Sequence, residues 1–255
     1  MDLTVNHFKR ALREGRPQIG LWSHLSSAIS TEILGQCGFD WMVLDMEHSP
    51  NELSHILAQL QALKDSPTMP VVRPPWNDMV MFKRLLDVGA QSLIVPYIQN
   101  ADEAKLAVSY TRYPPHGVRG YAGAPRASGY GRIKDYAKRC NDEICLLLQI
   151  ETVEGLKHLE AIARVEGVDG IFIGPGDLSA DMGHLGNPRH PEVVAAVIDA
   201  FKRIRACGKA PGILIGDETL AHQFIEAGGL FVAVGADQNL LRDSATSLAA
   251  RFKTS

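Results

Sequence analysis

Eight short runs of Val, Ile, Leu and small residues recur down the chain, separated by segments with helical spacing, and this alternation limits the fold more than any other feature. The runs are Ile19–Leu25, Trp41–Met46, Pro70–Arg73, Ser92–Ile98, Cys145–Ile150, Gly170–Gly174, Gly212–Ile215 and Leu230–Val234. Each is close to continuously apolar, as expected of parallel strands buried on both faces; a half-solvated antiparallel strand would alternate. Between them, Leu53, Ile56, Leu57, Leu60 and Leu63 recur at i, i+3, i+4, i+7 and i+10, which forms one buried stripe on a helix. Ser49-Pro50-Asn51-Glu52 ahead of that stripe reads as a capping box, with Ser49 as N-cap and Pro50 at the first helical position. Asn100-Ala101-Asp102-Glu103 repeats the device after the fourth run, and His190-Pro191-Glu192 puts a proline at another helix start.

Eight β-then-α units suit either a closed barrel or a long open sheet. The Gly-x-Gly-x-x-Gly turn of a dinucleotide-binding open sheet is absent after the first run, and 255 residues is close to the roughly 250 typical of a closed barrel. The expected fold is therefore α/β: a single (β/α)8 TIM barrel domain spanning 1–255, with an extra N-terminal helix, Leu3–Arg13, over the barrel floor. A last helix, Asn239–Phe252, carries Leu241, Ala245, Leu248 and Phe252 on one stripe. Residues 112–136 break the rhythm, being rich in Gly, Arg and Tyr. A loop of this length is usually a lid or an interface element, and this one is expected on the active face.

Composition narrows the partners. The chain is 45% hydrophobic and 22% charged, with a net charge of −3 and no basic run interleaved with aromatics, so a nucleic acid partner is not expected. No apolar stretch approaches the ~20 residues of a membrane helix, and the N-terminus lacks a signal-peptide layout, which points to a cytoplasmic protein with no membrane partner. Cys37, Cys140, Cys145 and Cys207 are scattered, with no zinc-finger or disulfide spacing, and are expected to be free and mostly buried thiols.

In a β/α barrel the chemistry sits at the carboxyl ends of the strands. The polar residues there are Trp22 and His24, then Asp45, Glu47 and His48, then Arg73, then Gln149 and Glu151, and finally Gly174-Pro175-Gly176-Asp177. Glu151 and Asp177 offer hard oxygen ligands of the kind Mg²⁺ or Mn²⁺ prefers. Either could merely cap the following helix, but two carboxylates on nearby strands favour a metal. The amides of Gly176 and Asp177 could receive a carboxylate or phosphate oxygen, although glycines in such a turn can also be present only for positive φ. His48 admits three readings: a metal ligand, which hard-metal chemistry makes the weakest, a general base, or a histidine satisfied by local hydrogen bonds. Arg73 ends an apolar strand, where a guanidinium requires an anion. It is read as aimed at developing negative charge. The motifs of serine hydrolysis, zinc proteolysis and nucleotide hydrolysis are absent, and no strand ends in a lysine that could form a Schiff base.

Five stretches together carry a family resemblance: LDMEHSPN (44–51), LLQIET (147–152), VEGVDGIFIGPGDLSADMGHLGNPRHPEV (165–193), GKAPGIL (208–214) and LFVAVGAD (230–237). With them the chain resembles, nearly end to end, the HpcH/HpaI family of metal-dependent class II pyruvate aldolases. The resemblance implies reversible aldol cleavage of a 4-hydroxy-2-oxoacid to pyruvate or hydroxypyruvate plus an aldehyde. It implies a divalent metal (Mg²⁺, Mn²⁺ or Co²⁺) on Glu151 and Asp177, His48 as general base and Arg73 as stabiliser of the enolate. Gln149, Gly176 and Asp177 would contact the 2-oxoacid, and Asp87 would be the acid that raises the basicity of the histidine. From the end of its helix, Met79–Val88, Asp87 is expected to act across an interface in a homo-oligomer, by resemblance a hexamer. GPGD stands where the family more often has GPAD, and residues 117–131 depart from it at Tyr121, Ala122, Tyr130 and Gly131, near where the aldehyde is expected to enter. A sugar-acid aldolase of the same family, acting on 2-keto-3-deoxy acids, would use the same residues. A catalytically inactive barrel kept for binding would need lesions at the site, and His48, Arg73, Glu151 and Asp177 are all present.

Overall fold

The computed structural model describes residues 1–253. Its strands are β1 (Gln18–Ser23), β2 (Trp41–Asp45), β3 (Met69–Arg73), β4 (Ser92–Val95), β5 (Cys145–Ile150), β6 (Gly170–Ile173), β7 (Ala210–Leu214) and β8 (Phe231–Ala236). All pair in parallel with their sequence neighbours, and β8 returns to β1, so the sheet closes as an eight-stranded barrel. The helices are α1 (His7–Arg13), α2 (Ala28–Leu34), α3 (Leu53–Ala62), α4 (Met79–Asp87), α5 (Ala101–Thr111), α6 (Tyr136–Glu143), α7 (Val153–Lys157), α8 (Leu159–Ala163), α9 (Pro175–Asp181), α10 (Pro191–Ala206), α11 (Glu218–Glu226) and α12 (Asp237–Ala250). The expected TIM barrel is the observed one.

Two apolar cores follow from the two faces of each strand. Outward-facing residues such as Leu44, Val72, Leu148 and Ile171 pack against the helices. Inward-facing ones fill the barrel, where Trp22, Trp41, Phe172 and Phe231 meet edge-to-face or tilted. Helix α1 does close the floor. Asn6 caps it by accepting from Lys9 N–H at 2.9 Å, and Phe8 inserts against Trp41 and Phe231, with ring centroids 5.4 and 6.1 Å away. The barrel is thus a filled core with one polar mouth, at the carboxyl ends of the strands.

Three expectations change. Ser49 is not the cap of α3: its hydroxyl donates to the carbonyl of Asp45, and the helix begins three residues beyond Pro50, with Glu52 as N-cap and its N–H donating to His55 Nδ1 at 3.0 Å. Residues 112–135 follow helix α5 rather than a strand, so they join that helix's lower end to the short helix that leads into the bottom of β5. In this chain they lie at the floor and not on the active face, with Arg126 Nη1 donating to the carbonyl of Val88 at the end of α4. The apolar side chains of α12 are not packed down: Leu241 and Leu248 are exposed, as is Phe252 just past the helix end. The other two starts hold, since Asn100 Oδ1 accepts from the N–H groups of Asp102 and Glu103, and Pro191 opens α10. All four cysteines are free, and Cys37 is exposed. No helix among the described residues is long and apolar enough to cross a membrane.

Gly212 on β7 shows how tightly the interior is filled, because a Cβ there would sit 2.2 Å from Cε2 of Phe231. Gly212→Ala should therefore lower stability by about 1–3 kcal/mol, the usual range for overpacking a core. The comparison is Gly123→Ala, which meets nothing within 4 Å and should stay within about 0.5 kcal/mol. Urea midpoints of the two variants check this, and equal midpoints would contradict the packing described.

Candidate active site and metal centre

Asp45, the last residue of β2, is fully buried and receives Arg73 from the end of β3 through two parallel hydrogen bonds, Nε to Oδ1 at 2.8 Å and Nη2 to Oδ2 at 2.7 Å. This bidentate pair is the anion that a buried guanidinium requires. The indole of Trp22 donates to the same carboxylate at 3.3 Å and also lies beneath Arg73, while His24 Nε2 approaches it at 3.2 Å. Burial alone would raise the carboxyl pKa of Asp45. The hydrogen bonds from His24 and Arg73, with the charge of Arg73, overcome it and hold the group well below its ordinary value. Burial likewise works against the charge of Arg73, and Asp45, Glu47 and Glu151 more than offset it.

Glu47 follows two residues later. Its Oε2 is 2.9 Å from Arg73 Nη1, a close charge contact without hydrogen-bond alignment. Burial, opposed by Arg73 but helped by the negative charges of Asp45 and Asp177, pushes its pKa up to about 7. Glu151, just past β5, is only 1% exposed, accepts from Tyr97 N–H at 2.9 Å and is hydrogen-bonded by Gln149 Nε2. Burial, with the charges of Glu47 and Asp177, pushes it up to about 7 as well, against the hydrogen bond from Gln149. The remaining oxygen of Gln149, Oε1, is buried without a partner.

The helix-cap reading of Glu151 fails, because Thr152 is the N-cap of α7 and accepts from Gly155 N–H at 3.0 Å. Asp177 sits exposed in the first turn of α9, whose N-cap is Gly174 with no side-chain cap. Gly174 has φ −85°, so positive φ is not its reason. Its reason is closeness: a Cβ there would lie 2.5 Å from Glu151 Oε2 and 3.3 Å from Gln149 Nε2. Gly176 faces open space, so the alanine more common in the family would fit without displacing a neighbour.

Glu47, Glu151 and Asp177 thus converge, with one guanidinium already committed to Asp45. Desolvation and mutual repulsion hold two of the three acids near pH 7, and a divalent cation relieves both. An all-oxygen donor set with open positions suits a hard ion, so the residues present fit such a metal. The strand-end positions of Asp45 and Glu47 alone do not reveal that one anchors Arg73 and the other faces Glu151 and Asp177. Only the pairing across strands does. His48 is at the rim but its side chain is 62% exposed, and its nearest acid is Glu47, at 3.9 Å, rather than Asp45. The histidine paired with Asp45 is His24. Asp87, at the lower end of α4, is not brought to this mouth; it pairs with the buried Arg119 of the 112–135 segment at 2.9 Å.

Known proteins resemble this chain over nearly its whole length. The pattern of the family described as HpcH/HpaI aldolase/citrate lyase matches residues 18–244. Proteins named 4-hydroxy-2-oxo-heptane-1,7-dioate aldolase from Shigella sonnei and Escherichia coli are each 59% identical over 248 residues, which is 97% of this chain and 95% of theirs. The crystal structure of an HpcH/HpaI aldolase/citrate lyase family protein from Burkholderia cenocepacia superposes with a TM-score of 0.93 at 39% identity, covering 98% of this chain and all of that one.

The raised acids make a signed prediction for metal-free protein. A carboxyl whose folded pKa exceeds its ordinary 4.5 favours the fold below that value, and the contribution fades as pH rises through about 7. The melting temperature of metal-free wild type, measured against Glu151→Gln, should therefore fall between about pH 5 and pH 8, and added Mg²⁺ should reverse the loss at the upper end. Melting curves of the two proteins that run parallel across this range would contradict the repulsion.

Proposed function

Since the chain belongs to the HpcH/HpaI aldolase/citrate lyase family and is thereby a carbon–carbon lyase, we propose that it cleaves 4-hydroxy-2-oxoacids to pyruvate and an aldehyde, and runs the same reaction in reverse. The single observation that carries the reading is the convergence of Glu47, Glu151 and Asp177 beside an Asp45-anchored Arg73. Glu151 and Asp177 would hold a divalent ion, magnesium, manganese or cobalt, which when bound supplies Lewis-acid polarisation of the substrate's carboxylate and ketone oxygens.

The chain's own groups do the rest. The amides of Gly176 and Asp177, in the first turn of α9, are the donors for the substrate carboxylate, and Gln149 lines the same site with its Nε2 holding Glu151 in place. Arg73 is held rigid by Asp45, so its charge is fixed in advance where the C2 oxygen becomes negative as the C3–C4 bond breaks. His48, exposed at the rim, takes the proton from the C4 hydroxyl, directly or through water, and the aldehyde departs into solvent. Names of the 59% identical relatives favour 4-hydroxy-2-oxo-heptane-1,7-dioate as substrate.

The exposed Leu240, Leu241, Leu248 and Phe252 of the last helix support a homo-oligomer, six-membered by resemblance. In such an assembly Asp87 and the 112–135 segment would act at a neighbouring copy's mouth, since the topology puts both at the opposite end of their own barrel.

Pyruvate release from a panel of 4-hydroxy-2-oxoacids, including 2-keto-3-deoxy sugar acids, tests the reading. Turnover should vanish with EDTA and return with Mg²⁺ or Mn²⁺; Glu151→Gln should lose it with the fold retained, and His48→Ala should slow it by about 10²–10⁴-fold. Full activity in EDTA would sink the metal assignment, and wild-type rates in His48→Ala would remove the base.

A further inference from the structure

The connection between α9 and α10 assembles three side chains that the aldol chemistry does not use. His184 Nε2 lies 2.8 Å from Glu192 Oε2, and the imidazoles of His184 and His190 stack with centroids 3.5 Å apart and planes 15° from parallel. One potential ligand atom from each of the three falls within 4.8 Å of the others. The backbone holds them there. His184 N–H donates to the carbonyl of Ser179 at 2.7 Å, Asn187 N–H to that of His184 at 2.9 Å, and His190 N–H to that of Asn187 at 3.0 Å. His190 then caps α10, and Glu192 lies in its first turn.

The chemistry of the trio is that of a cation site. Each imidazole offers an in-plane nitrogen lone pair, and because the two rings stack nearly parallel, one of them turns about its Cβ–Cγ bond for both lone pairs to meet a single ion. Glu192 is exposed, and the hydrogen bond from His184 holds its carboxyl below the ordinary range, so the third donor is anionic. The contact from Glu192 N–H to His190 Nδ1 is long, at 3.4 Å, and leaves that ring weakly committed. Two imidazole nitrogens and one carboxylate suit a borderline transition ion far better than Mg²⁺, which prefers oxygen. Both histidines are half-buried, so the open positions face solvent on one side.

We propose that His184, His190 and Glu192 form a second divalent-cation site, selective for a transition ion of the zinc class and separate from the oxygen-ligand site of Glu151 and Asp177. The ion takes the place of the proton between His184 Nε2 and Glu192 Oε2 and ties residues 182–190 to the first turn of α10. That braces α9, whose own first turn carries Asp177.

Equilibrium dialysis of the full-length protein against Zn²⁺, in excess Mg²⁺, with bound zinc counted by elemental analysis, tests it. Wild type should hold one Zn²⁺ per chain more than His184→Gln and more than Glu192→Gln, and Glu151→Gln should keep that equivalent. Both variants should retain wild-type circular dichroism and Mg²⁺-supported turnover. The exposed Glu192 provides the test should replacement of His184 disturb folding. Equal zinc content in wild type and Glu192→Gln would overturn the proposal, whatever becomes of the aldolase reading.

Discussion

Asp45, Glu47, Glu151 and Asp177 gather around one guanidinium, that of Arg73, at the mouth of this barrel. Asp45 takes Arg73 for itself through two short hydrogen bonds, and its pKa falls although it is fully buried. Glu47 has only the far edge of the same guanidinium, and burial together with the neighbouring acids pushes Glu47 and Glu151 up to about 7. A protein gains nothing for its own stability by gathering such groups. The arrangement makes sense as a site poised for a cation, with Arg73 kept charged and stationary beside it.

The fold makes this frustration possible by being rigid everywhere else. Aromatic rings from β1, β2, β6 and β8 fill the barrel, and Phe8 stops its floor, so the polar groups gathered at the top stand over a closed apolar plug. Asp45 and Arg73 end their strands, where ladder hydrogen bonds fix the backbone, Glu151 comes just past β5, and Asp177 is carried by the first turn of α9. Gly174 shows how narrow the tolerance is, for its missing Cβ is the space that Glu151 and Gln149 occupy.

Much of this was legible in the sequence, because a strand buried on both faces is nearly all apolar and any polar residue at its end is conspicuous. Glu151, Asp177, Arg73 and Gln149 announced themselves that way. What could not be read is pairing. The sequence puts His48 next to two acids, yet the carboxylate of Asp45 points inward to Arg73, Trp22 and His24, while His48 points out. Ser49 had the right neighbours for a cap but was drawn to the carbonyl of Asp45. The 112–135 segment belongs at the floor because α5 stands between it and β4 and carries the chain back down before the segment begins. The His184, His190 and Glu192 group needed a loop to fold back before its spacing meant anything.

The central claim is that Glu151 and Asp177 hold the ion on which the lyase chemistry depends. Anomalous difference density from crystals grown with Mn²⁺ and pyruvate tests it most directly. The account predicts a peak within coordination distance of both carboxylates, with pyruvate oxygens completing the shell beside Gly176. A fully occupied manganese elsewhere, with Glu151 and Asp177 untouched, would contradict it.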